Sequence, residues 1–205
     1  MSLPLDTIGM AEPDLDAAAV IQSRAFFDDP LFEFLFPDAT VRRAQLPWIM
    51  RVGIAAGLQV GHVHTTRSAM LGHAVWLPPG GTHLSNDRLA EAGFVDAEQH
   101  MDEKALARFG TFMEQSSAIH DRLLPEPHWY LMILGVDPPY QGRGIGTALM
   151  QPTLTRADEA RLPCYLETVK ERNVVYYRKH GFEVAEEQAV AGDGPPVWMM
   201  IRQPR

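Results

Sequence analysis

Apolar positions change period several times along this chain, and each change marks an element. Leu15, Ala18, Ala19, Gln22, Ala25 and Phe26 recur at helical spacing behind Asp14, predicting a helix to about Phe27. A second helix is predicted from Thr40 to about Gln59, disturbed at Pro47, which has no N–H to donate. Between them lies DDPLFEFLFPD, residues 28–38, a proline-bounded connector. Its Phe32, Phe34 and Phe36 suit a short helix or turn packed on the core, with the lining of an apolar pocket as the other reading. Residues 60–78 read as a strand pair parted at Arg67 and Ser68. The stretch 85–122 is helical and polar on one side, with a break expected near Gly93 to Val95. WYLMILGV predicts a buried strand, and Gly144 to Ala160 a helix that Pro152 should kink. Then come a strand at 164–169, a short helix from Arg172 to His180, and strands near 182–189 and 197–202 joined by a turn at 192–196. The order is mixed α/β, without the even alternation of a doubly wound sheet.

Composition narrows the class. At 205 residues, 46% hydrophobic and 21% charged, one globular domain spanning 1–205 is the expectation. A formal net charge of −8 disfavours a nucleic-acid partner, which needs a basic stripe. The single cysteine, Cys164, excludes an intramolecular disulfide and fits a reducing, cytoplasmic setting, and its apolar neighbours predict a buried inert thiol. No run approaches the roughly 18 apolar residues of a membrane span, so no membrane partner is expected. The N-terminus shows no signal-peptide pattern.

Candidate chemistry concentrates in YLMILGVDPPYQGRGIG, residues 130–146. A strand feeding a glycine-rich turn at a helix start holds phosphate, because the first helical N–H groups are unpaired and glycines let an anion approach the backbone. Thr147 follows Gly146 with no lysine, which excludes a Walker A loop. The G-x-G-x-G spacing, set back from the strand by Asp137 to Tyr140, fits a dinucleotide fingerprint poorly. About thirty residues on, CYLETVKERNVVYYRKHGFEV places Asn173 and Tyr177 four apart on one helix face, with Gly181 where a helix would stop.

Together, Q-G-R-G-I-G and N…Y-x-x-x-G-F resemble the signature of the GNAT superfamily of N-acetyltransferases, in which Gln141, Gly144 and Gly146 are the loop positions. Four blocks (AVWLPP, WYLMILGVDPPYQGRGIGTALMQP, YLETVKERNVVYYRKHGFEV and VWMMIRQP) are similar to the puromycin N-acetyltransferase-like small-molecule branch. The resemblance implies a GNAT-type α/β domain with a mixed, mostly antiparallel sheet of about six to seven strands flanked by helices. It also implies acetyl-CoA as cosubstrate, a small-molecule amine as acceptor, and residues 80–125 as a helical insert on the acceptor side.

The same resemblance implies roles for individual residues. The backbone of Leu134, Gly135 and Val136 would pair with the pantetheine arm. N–H groups of Gln141, Gly142, Arg143 and Gly144, then of Ile145, Gly146 and Thr147, would hold the pyrophosphate. Arg143 would add a charge-assisted contact or stay a solvated cation, and Asn173 would bond the cofactor arm or order its helix. Tyr177 is the candidate general acid, while Tyr176, about 100° away, suits packing. The base is open among Glu167, favoured because YLET occupies the matching place, His128 and His73. His62 and His64 could share a strand face, but without a third ligand at suitable spacing no metal is expected. The acids Glu91, Asp96, Glu98, Asp102 and Glu103 read as a solvated face or as an attraction for a cationic amine. A protein or peptide acetyltransferase and a non-catalytic CoA-binding module are the rival functions.

Overall fold

A strand outside the predicted set, β1 (Thr7–Gly9), begins the sheet in this computed structural model, which describes residues 5–189 and 194–205, with Pro13 by its backbone alone. Three residues are too few to show alternation, so only pairing with β2 (Val63–Thr66) reveals it. Next come β3 (Gly72–Leu77), β4 (Trp129–Val136), β5 (Cys164–Thr168), β6 (Glu183–Ala189) and β7 (Pro196–Arg202). The described residues form a seven-stranded sheet ordered β1-β2-β3-β4-β5-β7-β6, with β4 and β5 parallel and the other neighbours antiparallel. The turn predicted at 192–196 lies partly outside the described residues.

Helices α1 (Leu15–Ala25), α2 (Pro30–Leu35) and α3 (Ala39–Gln59) precede the hairpin. The side chains of Asp29 and Asp38 accept from the first N–H groups of α2 and α3, satisfying donors a helix start leaves free. Residues 85–122 are more divided than predicted. Helix α4 (Asn86–Glu91) stops before Gly93, whose φ is +105°, and α5 (Ala97–His100) gives way to α6 (Glu103–Leu123) where Asp102 caps the next helix. Finally, α7 (Ile145–Glu159) and α8 (Glu171–Arg178) flank β5. Both α3 and α7 run on through their prolines. Burial of Leu46, Ile49, Leu149 and Leu154 around them outweighs one missing hydrogen bond.

On one face of the sheet, α7 and α8 bury Leu149, Met150 and Tyr177 against Trp76 and Leu166. On the other, α1 and α3 cover Val63 and Val75, while α6 lays Phe112 and Ile119 on Tyr165 and Met199. One irregularity positions the functional residues. Val75 opposes Ile133 but Trp76 opposes Leu131, so Met132 is an extra residue, a β-bulge that bends β4. Pairing of β4 with β5 ends at the same place, at Leu131 and Leu166, and beyond it the two strands part.

Candidate active site

The fork between β4 and β5 leaves the segment from Met132 to Val136 bonded to β3 alone, so it has no strand partner on its other edge. Leu134, Gly135 and Val136 stand there, and free main-chain groups on such an edge can pair with an extended ligand. Asp137 then leaves the sheet, pinned by a two-pronged bond from Arg24 of α1 at 2.9 and 2.7 Å. Gln141 turns back, its Nε2 donating to the Val136 carbonyl at 3.0 Å, so this side chain closes the loop on its own strand. Arg143 also folds back, donating to the Pro139 carbonyl at 3.1 Å with its guanidinium 5.4 Å above the Tyr140 ring.

Gly144 ends the loop at φ +80°, in the left-handed region that a side chain disfavours. No side chain caps α7, leaving the N–H groups of Ile145, Gly146 and Thr147 at a helix N-terminus fit to hold an anion. Gly146 is small for another reason. A Cβ there would stand 2.8 Å from the Tyr176 hydroxyl, so α8 rests directly on the first turn of α7. Thr147 Oγ1 lies 3.2 Å from His180 Nε2 just past α8. Tyr176 is thus the packing residue its helical position predicted, and the two sequence motifs touch.

At the point where the strands part sits Glu167, the first β5 residue beyond the parallel pairing. Alternation places it on the face of Tyr165, toward α6. Tyr165 donates to its Oε1 at 2.9 Å and Tyr130 to its Oε2 at 3.4 Å. Burial pushes this carboxyl up to about 7, against the pull of the two hydroxyls. Across the fork, Tyr177 of α8 is 7% exposed, and burial, reinforced by Tyr176 and Asp29, raises its phenol and keeps the proton on. Asn173 Nδ2 donates to Thr168 Oγ1 at 3.1 Å, ordering the turn from β5 into α8. Lys170 in that turn lies 3.3 Å from Asp29, both almost fully buried, which ties the α1–α2 connection to the β5–α8 turn.

Glu167, Tyr177 and Asn173 share one cavity of about 620 Å³ with Phe32, Phe109 and His120. The connector phenylalanine and the motif-free insert therefore both reach the site. Two other histidines depart from the expectation that they could be the base. His73 is sealed under α1, where burial lowers it to about 4 and neither ring nitrogen has a partner among the described residues. His128 is committed, with Nδ1 at 2.6 Å from the Glu126 carbonyl and Nε2 at 2.6 Å from His120 Nε2. The acid cluster also lies elsewhere. Glu91, Asp96, Glu98, Asp102 and Glu103 are exposed and none lines the cavity, while Asp102 serves as the cap of α6. His62 packs edge-on against Trp129, and His64 Nε2 lies 3.3 Å from Thr153 Oγ1. Cys164 is buried and its thiol is pushed up to about 12 by that burial, which makes it a poor nucleophile.

Residues 74–182 match the sequence model of the acetyltransferase (GNAT) family. The chain belongs to that family. An uncharacterized N-acetyltransferase of Schizosaccharomyces pombe is 26% identical over 205 aligned residues, covering 93% of this chain and 80% of its own. Among solved structures, histone acetyltransferase HPA2 and related acetyltransferase from Corynebacterium glutamicum superimposes with a TM-score of 0.69 at 23% identity, over 97% of this chain and 96% of its own. Arylalkylamine N-acetyltransferase 2 from Aedes aegypti does so with a TM-score of 0.65 at 13% identity, over 99% and 100%. As a member of the GNAT acetyltransferase family, whose cosubstrate is acetyl-CoA, the chain is an acyltransferase. Missed from the sequence were Tyr130, Tyr165, His120 and the Asp29–Lys170 pair. No local pattern could mark them, because their partners are distant in the chain.

Proposed function

We propose that this GNAT enzyme acetylates the amine of a small molecule, with Glu167 as general base and Tyr177 as general acid. One observation carries the reading: a buried carboxyl held near neutrality opens on the same cavity as a buried, protonated tyrosine, at the mouth of the strand fork.

Acetyl-CoA supplies an acetyl thioester, which an amine nitrogen must attack with its lone pair. An alkyl amine of pKa about 10.4 is free base in only about one molecule in 2,500 at pH 7, so its proton must be taken. A carboxyl that titrates near pH 7 is half ionised there, and burial makes it a stronger base than an exposed glutamate. Tyr165 and Tyr130 hold both its oxygens in place. Tyr177 keeps its proton at all working pH values and can offer it to the departing thiolate. A thiol of pKa about 8.5 leaves tolerably unaided, so this help is useful rather than essential. The main-chain edge from Leu134 to Val136, the loop donors at Gln141, Gly142, Arg143 and Gly144, and the helix-start donors at Ile145, Gly146 and Thr147 would orient the cosubstrate. Such placement accounts for much of the barrier reduction. Asn173 holds the α8 end of the fork.

The similar structures include both a histone and an arylalkylamine enzyme by name, so names alone do not choose the acceptor. The cavity favours the small molecule. Segment 84–123 forms one wall of it, through Leu84, Phe94 and Phe109, so an acceptor would meet a walled, largely apolar pocket, where a peptide acceptor wants an open groove. The four sequence blocks similar to puromycin-type enzymes point the same way. A CoA-release assay over small amines, polyamines and peptides, with mass spectrometry of the product, tests this. Acetylation of a small amine is expected. Acetylation of peptides alone, or tight acetyl-CoA binding with no thiol release from any amine, would overturn it.

A further inference from the structure

Resting on that reading, we propose that the acceptor is an apolar monoamine, one cationic nitrogen on a hydrocarbon body, and that His120 is the second hydrogen-bond acceptor orienting its nitrogen. The cavity runs along α6 and differs at its two ends. His120 and Phe109 both line it and are eleven residues apart on the helix, about 16 Å. At the His120 end stand Glu167, Tyr130 and the stacked Tyr165. At the Phe109 end, Phe94 meets Phe109 with ring centroids 5.6 Å apart, and Met50 and Val52 line the wall from α3.

Charge limits the guest to a single cation. Asp29, Glu114 and Glu167 are the charged side chains among the described lining residues. Asp29 is matched by Lys170, and Glu114 is exposed on α6. One carboxylate, Glu167, remains for a buried ammonium. A second ammonium deeper in the cavity would lie among rings, aliphatic side chains and hydroxyls, with no unpaired buried carboxylate to offset its lost hydration.

His120 owes its role to a chain of fixed protons. The Glu126 carbonyl can only accept, so the His128 Nδ1 carries a proton and donates it. The neutral His128 then has a lone pair on Nε2, which faces His120 Nε2 at 2.6 Å. His120 must therefore donate from Nε2, and its Nδ1 is left with a lone pair on a ring that lines the cavity. The groups around it are His83, itself paired with Asp121, His128, Tyr130, Tyr165 and Glu167. Burial and the neighbouring histidines hold His120 at about 3, so it stays a neutral acceptor wherever Glu167 titrates. The ring lies flat on Tyr165, with centroids 3.9 Å apart, and the Tyr165 hydroxyl bonds Glu167. Glu167 and His120 are thus two acceptors lining one cavity, linked through Tyr165, for a nitrogen bearing two N–H groups.

The test compares kcat/KM for phenylethylamine, hexylamine and 1,4-diaminobutane with acetyl-CoA. The two monoamines are expected to exceed the diamine by about 100-fold. Ser116→Asp, one turn or about 6 Å from His120 on the cavity side of α6, should raise the diamine value about ten-fold and lower that of phenylethylamine. His120→Leu should raise KM for the amine about ten-fold, with KM for acetyl-CoA unchanged. A diamine used as well as the monoamines would overturn the specificity while amine acetylation stands. No CoA release with any amine would remove the underlying function instead. An unchanged amine KM in His120→Leu, or an equal loss toward both substrates, would remove His120 as an orienting acceptor.

Discussion

The segment from Asp137 to Thr147 is continuous in sequence, whereas the acceptor cavity is assembled from residues as far apart as Phe26 and Tyr177. In the loop, the properties are local. A left-handed glycine, an uncapped helix start and a glutamine that bonds its own strand need little from the rest of the chain. In the cavity nothing is local. Glu167 acquires its basicity from burial beneath α6, and His120 its free lone pair from a carbonyl six residues further on and a histidine beyond it. A motif can encode a ligand that every family member shares, while a pocket of dispersed residues can vary without touching that motif.

The largest effect should come from the cavity side. Glu167→Gln is expected to lower kcat/KM for the amine by about a thousand-fold, within the range of general base catalysis. The wild-type enzyme should also show an acid limb with a midpoint near pH 7 that the variant lacks. The same substitution should stabilise the fold. Burial raises this carboxyl from 4.5 to about 7, so between those values the folded chain keeps a proton that the unfolded chain releases. Stability therefore falls as pH rises through that window, by at most about 3 kcal/mol. Thermal melts at pH 4 and pH 8 would check it: the variant should gain on the wild type only at pH 8. A variant with full activity and unchanged melting would make Glu167 a bystander.

Tyr177→Phe comes next. A loss in kcat of roughly ten- to a thousand-fold is expected, with little change in KM for acetyl-CoA, because the hydroxyl assists a leaving group that departs tolerably alone. Steady-state kinetics at saturating amine distinguish this from a binding defect, and undiminished turnover would take Tyr177 out of the chemistry.

Smaller effects should separate the two loop glycines. Gly144→Ala has open space but an unfavourable φ, and should destabilise by about 1 kcal/mol while raising KM for acetyl-CoA a few-fold. Gly146→Ala meets the Tyr176 hydroxyl and should destabilise by about 1–3 kcal/mol. Tyr176→Phe should recover much of that loss, but none of the loss at Gly144. Recovery at neither position would mean that α8 does not brace the loop.

Much of the fold was readable in the chain. Helical spacing located α1, α3 and α7, the apolar run 129–136 located β4, and the glycine spacing with Asn173 and Tyr177 identified the family. The α6 insert was readable as a helix but not as a wall. Its polar face showed exposed acids, and its contribution to the site comes from Phe109 and His120 on the side turned inward. Strand β1 was too short to show a period, and the bulge at Met132 exists only as a register between two strands.

The sequence by itself marked a glycine loop with an uncapped helix start, suited to an anion, and the helix that packs on it, because backbone conformation and helix ends are set by neighbours along the chain. Tertiary structure alone decided which of Glu167, His73 and His128 faces the cavity, since all three are plausible bases in sequence. Burial and hydrogen-bond partners depend on chain segments dozens of residues away, and these left His73 sealed, His128 committed to a carbonyl, and Glu167 open to the cavity.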